Sequence, residues 1–168
     1  GVDGCGAPIW ACRLVELAQV FRRCVTEPAG TPLRRAADAM RAHPQLVSGT
    51  GSEVTGLMRA VPGLLVKDGA EGVYGAALPD GRAVAVKVSD GAFRGAQPAL
   101  VGALGRLGVA ASAVSGWATV PALGHGRPVE EQVHTVVDRY VDRPREPVGQ
   151  LGPRRELGPC STVPMNVG

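Results

Sequence analysis

The chain has 168 residues, enough for about one domain, and a domain of that size hides roughly 70% of the surface of its unfolded form. Aromatic residues make up only 4%, beside 24 glycines and 14 prolines, which argues for small-residue packing and much loop and against a stacking surface for nucleic-acid bases. The net charge of +3 is scattered along the chain, a weak pull on any anionic partner, and no apolar run approaches the roughly 20 residues of a membrane span, so nucleic acid and membrane are both excluded as expected partners and the expected location is the cytoplasm.

Residues 1–8 read as a glycine-rich loop. Trp10, Leu14, Leu17, Ala18, Phe21 and Val25 then recur at helical spacing with Arg13, Glu16, Arg22 and Arg23 off the stripe, which predicts a helix from about Ile9 to Val25, ended by Glu27-Pro28-Ala29-Gly30. A second helix is expected from Pro32, a residue suited to a first turn, to Arg41, with Pro44 closing it and Arg34, Arg35 and Arg41 as a solvated face. Ser52 is placed to cap a helix reaching Ala60, ahead of Pro62-Gly63. A strand pair follows, Leu65 to Leu78 and Arg82 to Val88, joined by Pro79-Asp80-Gly81, whose Asp-Gly step supplies the positive φ of a hairpin. A helix is expected from Gln97 to Leu107 and a shorter one from Ala110 to Trp117, while Val120–Leu123 and Val129–Tyr140 fit either strand or helix. From Val141 the composition turns to Arg, Pro and Gly with no periodicity, which predicts a mostly disordered tail over 141–168. The expected class is α+β, an antiparallel sheet with flanking helices.

Only two of the basic residues are lysines, Lys67 and Lys87, against sixteen arginines, and both fall in the strand pair. Lysine is a compact ammonium that can carry a proton or activate a nucleophile, which guanidinium does poorly. Lys67-Asp68-Gly69 opens a strand after an apolar run, like the K-T-G element of penicillin-binding proteins and serine β-lactamases. A glycine at the third position, Gly69, lets a substrate approach the backbone. The alternative is a surface lysine at a strand start. The partner motif of that chemistry, S-x-x-K, is missing, since Leu64 stands three residues before Lys67 and Val84 three before Lys87.

The four cysteines, Cys5, Cys12, Cys24 and Cys160, show no C-x-x-C spacing. Cys5 lies between Gly4 and Gly6 just ahead of the first expected helix, a position that favours a thiolate as metal ligand or reactive thiol. Cys12 and Cys24 read as small fillers. His43, His125 and His134 have no metal-ligand spacing; His43 reads as a helix-end residue and His125 as part of a turn. Gly49-Thr50-Gly51 does not complete a phosphate-binding motif, since Val54 stands at the last glycine position, and no recognition helix marks a helix-turn-helix.

Several motifs taken together and in order resemble the bacterial asparaginase II family, the β-lactamase-like L-asparaginases. They are Asp3-Gly4-Cys5-Gly6-Ala7-Pro8, Ala39-Met40-Arg41-Ala42-His43-Pro44, Val47-Ser48-Gly49-Thr50-Gly51, Leu57-Met58-Arg59-Ala60, Lys67-Asp68-Gly69-Ala70-Glu71-Gly72-Val73 and Ala85-Val86-Lys87-Val88-Ser89-Asp90-Gly91. The likeness is dense from Gly1 to about Val129. It implies a partial serine β-lactamase-like fold over residues 1–140 and hydrolysis of L-asparagine to L-aspartate and ammonia, with a possible homodimer. It gives Lys67 a catalytic role, Gly69 a place against substrate, Lys87 a structural role, and Cys5 a share in a zinc site whose other ligands would lie outside this chain. Family members are about twice as long and carry the S-x-x-K serine in the part absent here, so the chain reads as the C-terminal half of such an enzyme and is expected to be inactive alone, a catalytically inactive remnant of the same fold being the rival reading. Asp68 stands where the family has glycine, which sets a carboxylate beside Lys67 and would make it a poorer base.

Overall fold

The computed structural model describes residues 1–124 and 127–134, with side chains through Pro121. It is an α+β arrangement in which a three-stranded antiparallel sheet, β1 (Leu65–Gly69), β2 (Val73–Ala77) and β3 (Ala83–Lys87), runs in the order β1-β2-β3. Residues on one side of the pleat, Leu65 and Ala77, pack on α1 (Leu14–Thr26) and α2 (Pro32–Ala42) through Val25, Ala37, Phe21 and Met40. Residues on the other side, Val66, Tyr74 and Ala76, pack on α4 (Glu53–Ala60) and α5 (Phe93–Arg106) through Val54, Leu57, Leu100 and Leu104. The period-2 alternation of a strand thus serves two cores at once. A short α3 (Gln45–Ser48), α6 (Ala111–Val114) and a 3-10 turn (Ser115–Trp117) complete the helices among the described residues.

The helix ends follow from local chemistry. Thr31 caps α2 by accepting the Arg34 N–H, with Pro32 in the first turn as predicted, and Ser52 caps α4 at the predicted place by accepting the Thr55 N–H. The start of α1 differs from expectation. The Glu16 carboxylate reaches back to the Arg13 N–H at 2.8 Å, a capping contact that begins the helix at Leu14. Upstream, Asp3 Oδ1 accepts the N–H groups of Cys5 and Ala7, and Ile9 bonds back to Gly1. That closes residues 1–9 into a loop of their own. Trp10 is therefore not on a buried stripe but 92% exposed, and Cys5 is not at a helix N-terminus.

The predicted first strand is itself a hairpin, so three strands replace the expected pair. The chain turns at Ala70-Glu71-Gly72, with φ of 63° at Glu71 and 65° at Gly72. The turn is easy to overlook because a glutamate occupies a left-handed position that glycine or asparagine would have advertised. α5 begins at Phe93, earlier than the predicted Gln97, and tolerates Pro98 within it; Asp90 holds its entry by accepting the Ala92 N–H and pairing with Arg94. The two ambiguous segments are strands as far as His134, β4 (Thr119–Gly124) paired with β5 (Arg127–His134), and residues 135–140 lie outside the described residues. The expected turn at His125 and the tail over 141–168, Cys160 included, lie outside the described residues.

The α2 arginines divide. Arg35 is exposed as expected, but Arg34 donates to the Val25 carbonyl at the end of α1 and Arg41 to the Gly63 carbonyl before β1. Both also pair with Asp38, Arg34 at 3.0 Å. These two side chains tie α2 to its neighbours, since guanidinium has enough donors to serve a carboxylate and a carbonyl together. Among the described residues no helix is long and apolar enough to cross a membrane.

Candidate active site

Lys67 sits in the middle of β1, one of the two edge strands of the sheet, directly opposite Gly75 of β2. Its side chain lines a cavity of about 390 Å³ together with Ala39 and Met40 of α2, His43 at the C-cap of α2, and Leu46 and Val47 of α3. The walls are mainly apolar, and the two residues with polar side-chain groups among those lining it are Lys67 and His43. Such a pocket suits a small ligand that carries an oxygen-bearing polar group for the lysine to meet.

The lysine does not hang free. Its Nζ donates to the Asp68 carbonyl at 2.9 Å and to Asp68 Oδ1 at 2.6 Å. The same Oδ1 accepts the Ser48 hydroxyl at 3.2 Å. Burial alone would push the Asp68 carboxyl up, but the hydrogen bond and charge of Lys67 and the Ser48 hydroxyl outweigh it and hold the group below the usual carboxylate range. Both side chains keep partial contact with solvent, 41% for Lys67 and 26% for Asp68.

Ser48 arrives through the segment between α2 and α4. Pro44 begins the single turn of α3, and buried Thr55 gathers the loop by directing its hydroxyl at the Pro44 and Gly49 carbonyls, 3.0 and 2.7 Å away. This places the last residue of α3 against the edge of β1. Sequence reasoning passed over Ser48, because a serine nineteen positions from the lysine has no spacing signature. Its place in Val47-Ser48-Gly49-Thr50-Gly51, already singled out as a motif, was the one available signal.

Gly69 ends β1, paired with Val73. A Cβ there would make ordinary contact with Val73 at 3.5 Å, so the fold does not demand a glycine at this position. Lys87 behaves differently from Lys67. It donates to the Glu71 carbonyl at 2.6 Å and the Val88 carbonyl at 2.7 Å, which pins the left-handed β1–β2 turn, a structural task of the kind the family likeness implies.

Cys5 is exposed and remote in sequence from these residues. Its thiol donates to Asp3 Oδ1 at 2.9 Å. Asp3 and Cys5 are two donors, whereas structural zinc takes four and catalytic zinc three from protein. Among the described residues no group of three or more His, Cys, Asp or Glu is gathered to hold a metal. The described residues therefore do not complete a zinc site.

The sequence profile described as L-asparaginase II matches residues 1–134, most of the chain and all of the elements above. No match was found among curated proteins. With the profile spanning both the Cys5 loop and the lysine-bearing sheet, the chain belongs to the L-asparaginase II family.

Proposed function

We propose that the chain forms the lysine-bearing wall of an L-asparaginase site, recognising L-asparagine at the Lys67 cavity for hydrolysis to L-aspartate and ammonia. What supports this is the position of Lys67: it is an edge-strand lysine lining a cavity, in a chain that matches the asparaginase II profile over residues 1–134. Lys67 is the group assigned to the reacting centre, where an ammonium stabilises negative charge developing on the amide oxygen. Gly69, one strand period further on, is assigned to close approach of substrate to the backbone. The fold assigned to this wall is the partial β-lactamase-like one.

A second reading, a catalytically inactive module of the same fold, is favoured by one observation. Neither lysine has a serine three residues before it, and the serine that does come near, Ser48, reaches Lys67 only through Asp68. The chain alone is accordingly assigned binding of asparagine with little turnover.

Equilibrium dialysis of isotopically labelled L-asparagine against the purified chain, with ammonia measured in the same samples, tests this. The expected outcome is saturable binding that Lys67→Met removes, with ammonia release far below the roughly 1–10³ s⁻¹ of ordinary enzymes. Absence of binding would leave the inactive-module reading. Turnover within the ordinary range would contradict the assignment of a wall without its own nucleophile.

A further inference from the structure

A lysine has three ammonium protons, and Lys67 commits two of them to one residue, its neighbour Asp68, through both the side chain and the main chain. Adjacent residues on a strand point to opposite faces, so Lys67 and Asp68 meet only by wrapping around the open edge of β1. Asp68 is in turn oriented from the other side by the Ser48 hydroxyl. A proton acceptor presents a lone pair, whereas Lys67 Nζ is directed as a donor at the Asp68 carbonyl and, at 2.6 Å, at its carboxylate. As a donor it has one proton left beyond the two given to Asp68, and its side chain lines the cavity that His43 also lines.

We propose that Asp68, oriented by Ser48, is a positioning residue that fixes the Lys67 ammonium as a hydrogen-bond donor at the β1 edge, so that Lys67 meets a substrate oxygen instead of withdrawing a proton from a nucleophile. The catalytic meaning of this rests on the assignment of Lys67 to the asparagine site. The pinning itself does not, and it is measured without turnover.

The scarcity of lysine makes the measurement clean. Cleavage at arginine separates Lys67, between Arg59 and Arg82, from Lys87, between Arg82 and Arg94. Acetylation with trace acetic anhydride, followed by mass spectrometry of the two peptides, gives a rate for each amine in the same molecule. Only the free amine reacts, so releasing the pin exposes it. Asp68→Asn keeps the size of the side chain and removes its charge; the expected result is at least threefold faster acetylation of Lys67 with Lys87 unchanged. Asp68→Glu, which keeps the carboxylate, is expected to stay nearer to the wild type than Asp68→Asn. Equal Lys67 rates in wild type and Asp68→Asn would overturn the proposal. Where Lys87 also accelerates, signalling a loosened fold, Ser48→Ala decides: a faster Lys67 with Lys87 unchanged supports the pin, and an unchanged Lys67 overturns it. Failure of asparagine binding with this labelling pattern intact would strike the functional assignment alone.

Discussion

Gly75→Ala is expected to destabilise the fold by about 2 kcal/mol, the usual cost of forcing extra volume into a packed site. Gly75 lies in the central strand β2, and a Cβ built on it falls inside the van der Waals surface of the Phe21 ring from α1. Glycine inside a strand gives up backbone entropy and packing, and here it is the aromatic ring of the helix that fills the space. The collision is with a side chain and not with backbone, so it can be relieved. Phe21→Ala alone should cost a comparable amount through the cavity it leaves. The double variant should then cost at least 1 kcal/mol less than the sum of the two singles, because the new methyl occupies room the ring has vacated. Urea unfolding midpoints of the four proteins at constant slope give the coupling directly. Simple additivity would show that the ring does not rest on Gly75. Gly75 is also the register partner of Lys67, so this contact sets how closely α1 lies over the stretch of sheet that carries the site lysine.

The second large effect appears in alkali. Tyr74 is fully buried, stacked edge-on to Phe93 with ring centroids 6.1 Å apart, and its hydroxyl donates to Glu53 Oε1 at 2.6 Å. Burial, then the hydrogen bond to Glu53 and the carboxylate charge, push the phenol far above its ordinary value. The sign follows from proton counting. Above about pH 10 an unfolded tyrosine releases its proton while the folded one keeps it, so the unfolded state binds fewer protons and stability falls as pH rises. The contribution is complete below pH 10 and is lost at about 1.4 kcal/mol per pH unit above it. Tyr74→Phe should abolish that component of the slope, at a cost near neutrality of about 1–2 kcal/mol for leaving Glu53 without its donor. Denaturant titrations of both proteins between pH 8 and 11.5 measure the difference, which also cancels the titration of the other tyrosine, Tyr140, and of the lysines. Parallel curves would contradict a buried phenol held neutral by its surroundings.

Much of this arrangement was legible in the residues. Pro32 and Ser52 announced their helices because a first turn and a cap are local chemistry, and the β2–β3 turn announced itself through Asp80-Gly81. The shortage of lysine pointed at β1 and β3, and the structure then separated the two: Lys67 lines a cavity, while Lys87 holds a turn. What escaped the reading depended on conformation or on distance. The β1–β2 turn hid behind a glutamate at φ 63°, and the apolar spacing from Trp10 onward gave no hint that Glu16 would start the helix at Leu14. Ser48 could not be joined to Lys67 from spacing, since Thr55 and a single turn of helix bring it to Asp68, twenty positions further on.

That Lys67 is the residue that meets the substrate can be measured without relying on catalysis. Selective ¹³C labelling of lysine yields two side-chain Cε signals, one from each lysine, assigned by Lys67→Arg and Lys87→Arg. On titration with L-asparagine, the Lys67 signal should move along a saturating curve while that of Lys87, which lies bound to the Glu71 and Val88 carbonyls, stays in place. A stationary Lys67 signal at saturating asparagine, or movement of Lys87 alone, would contradict the assignment of the site.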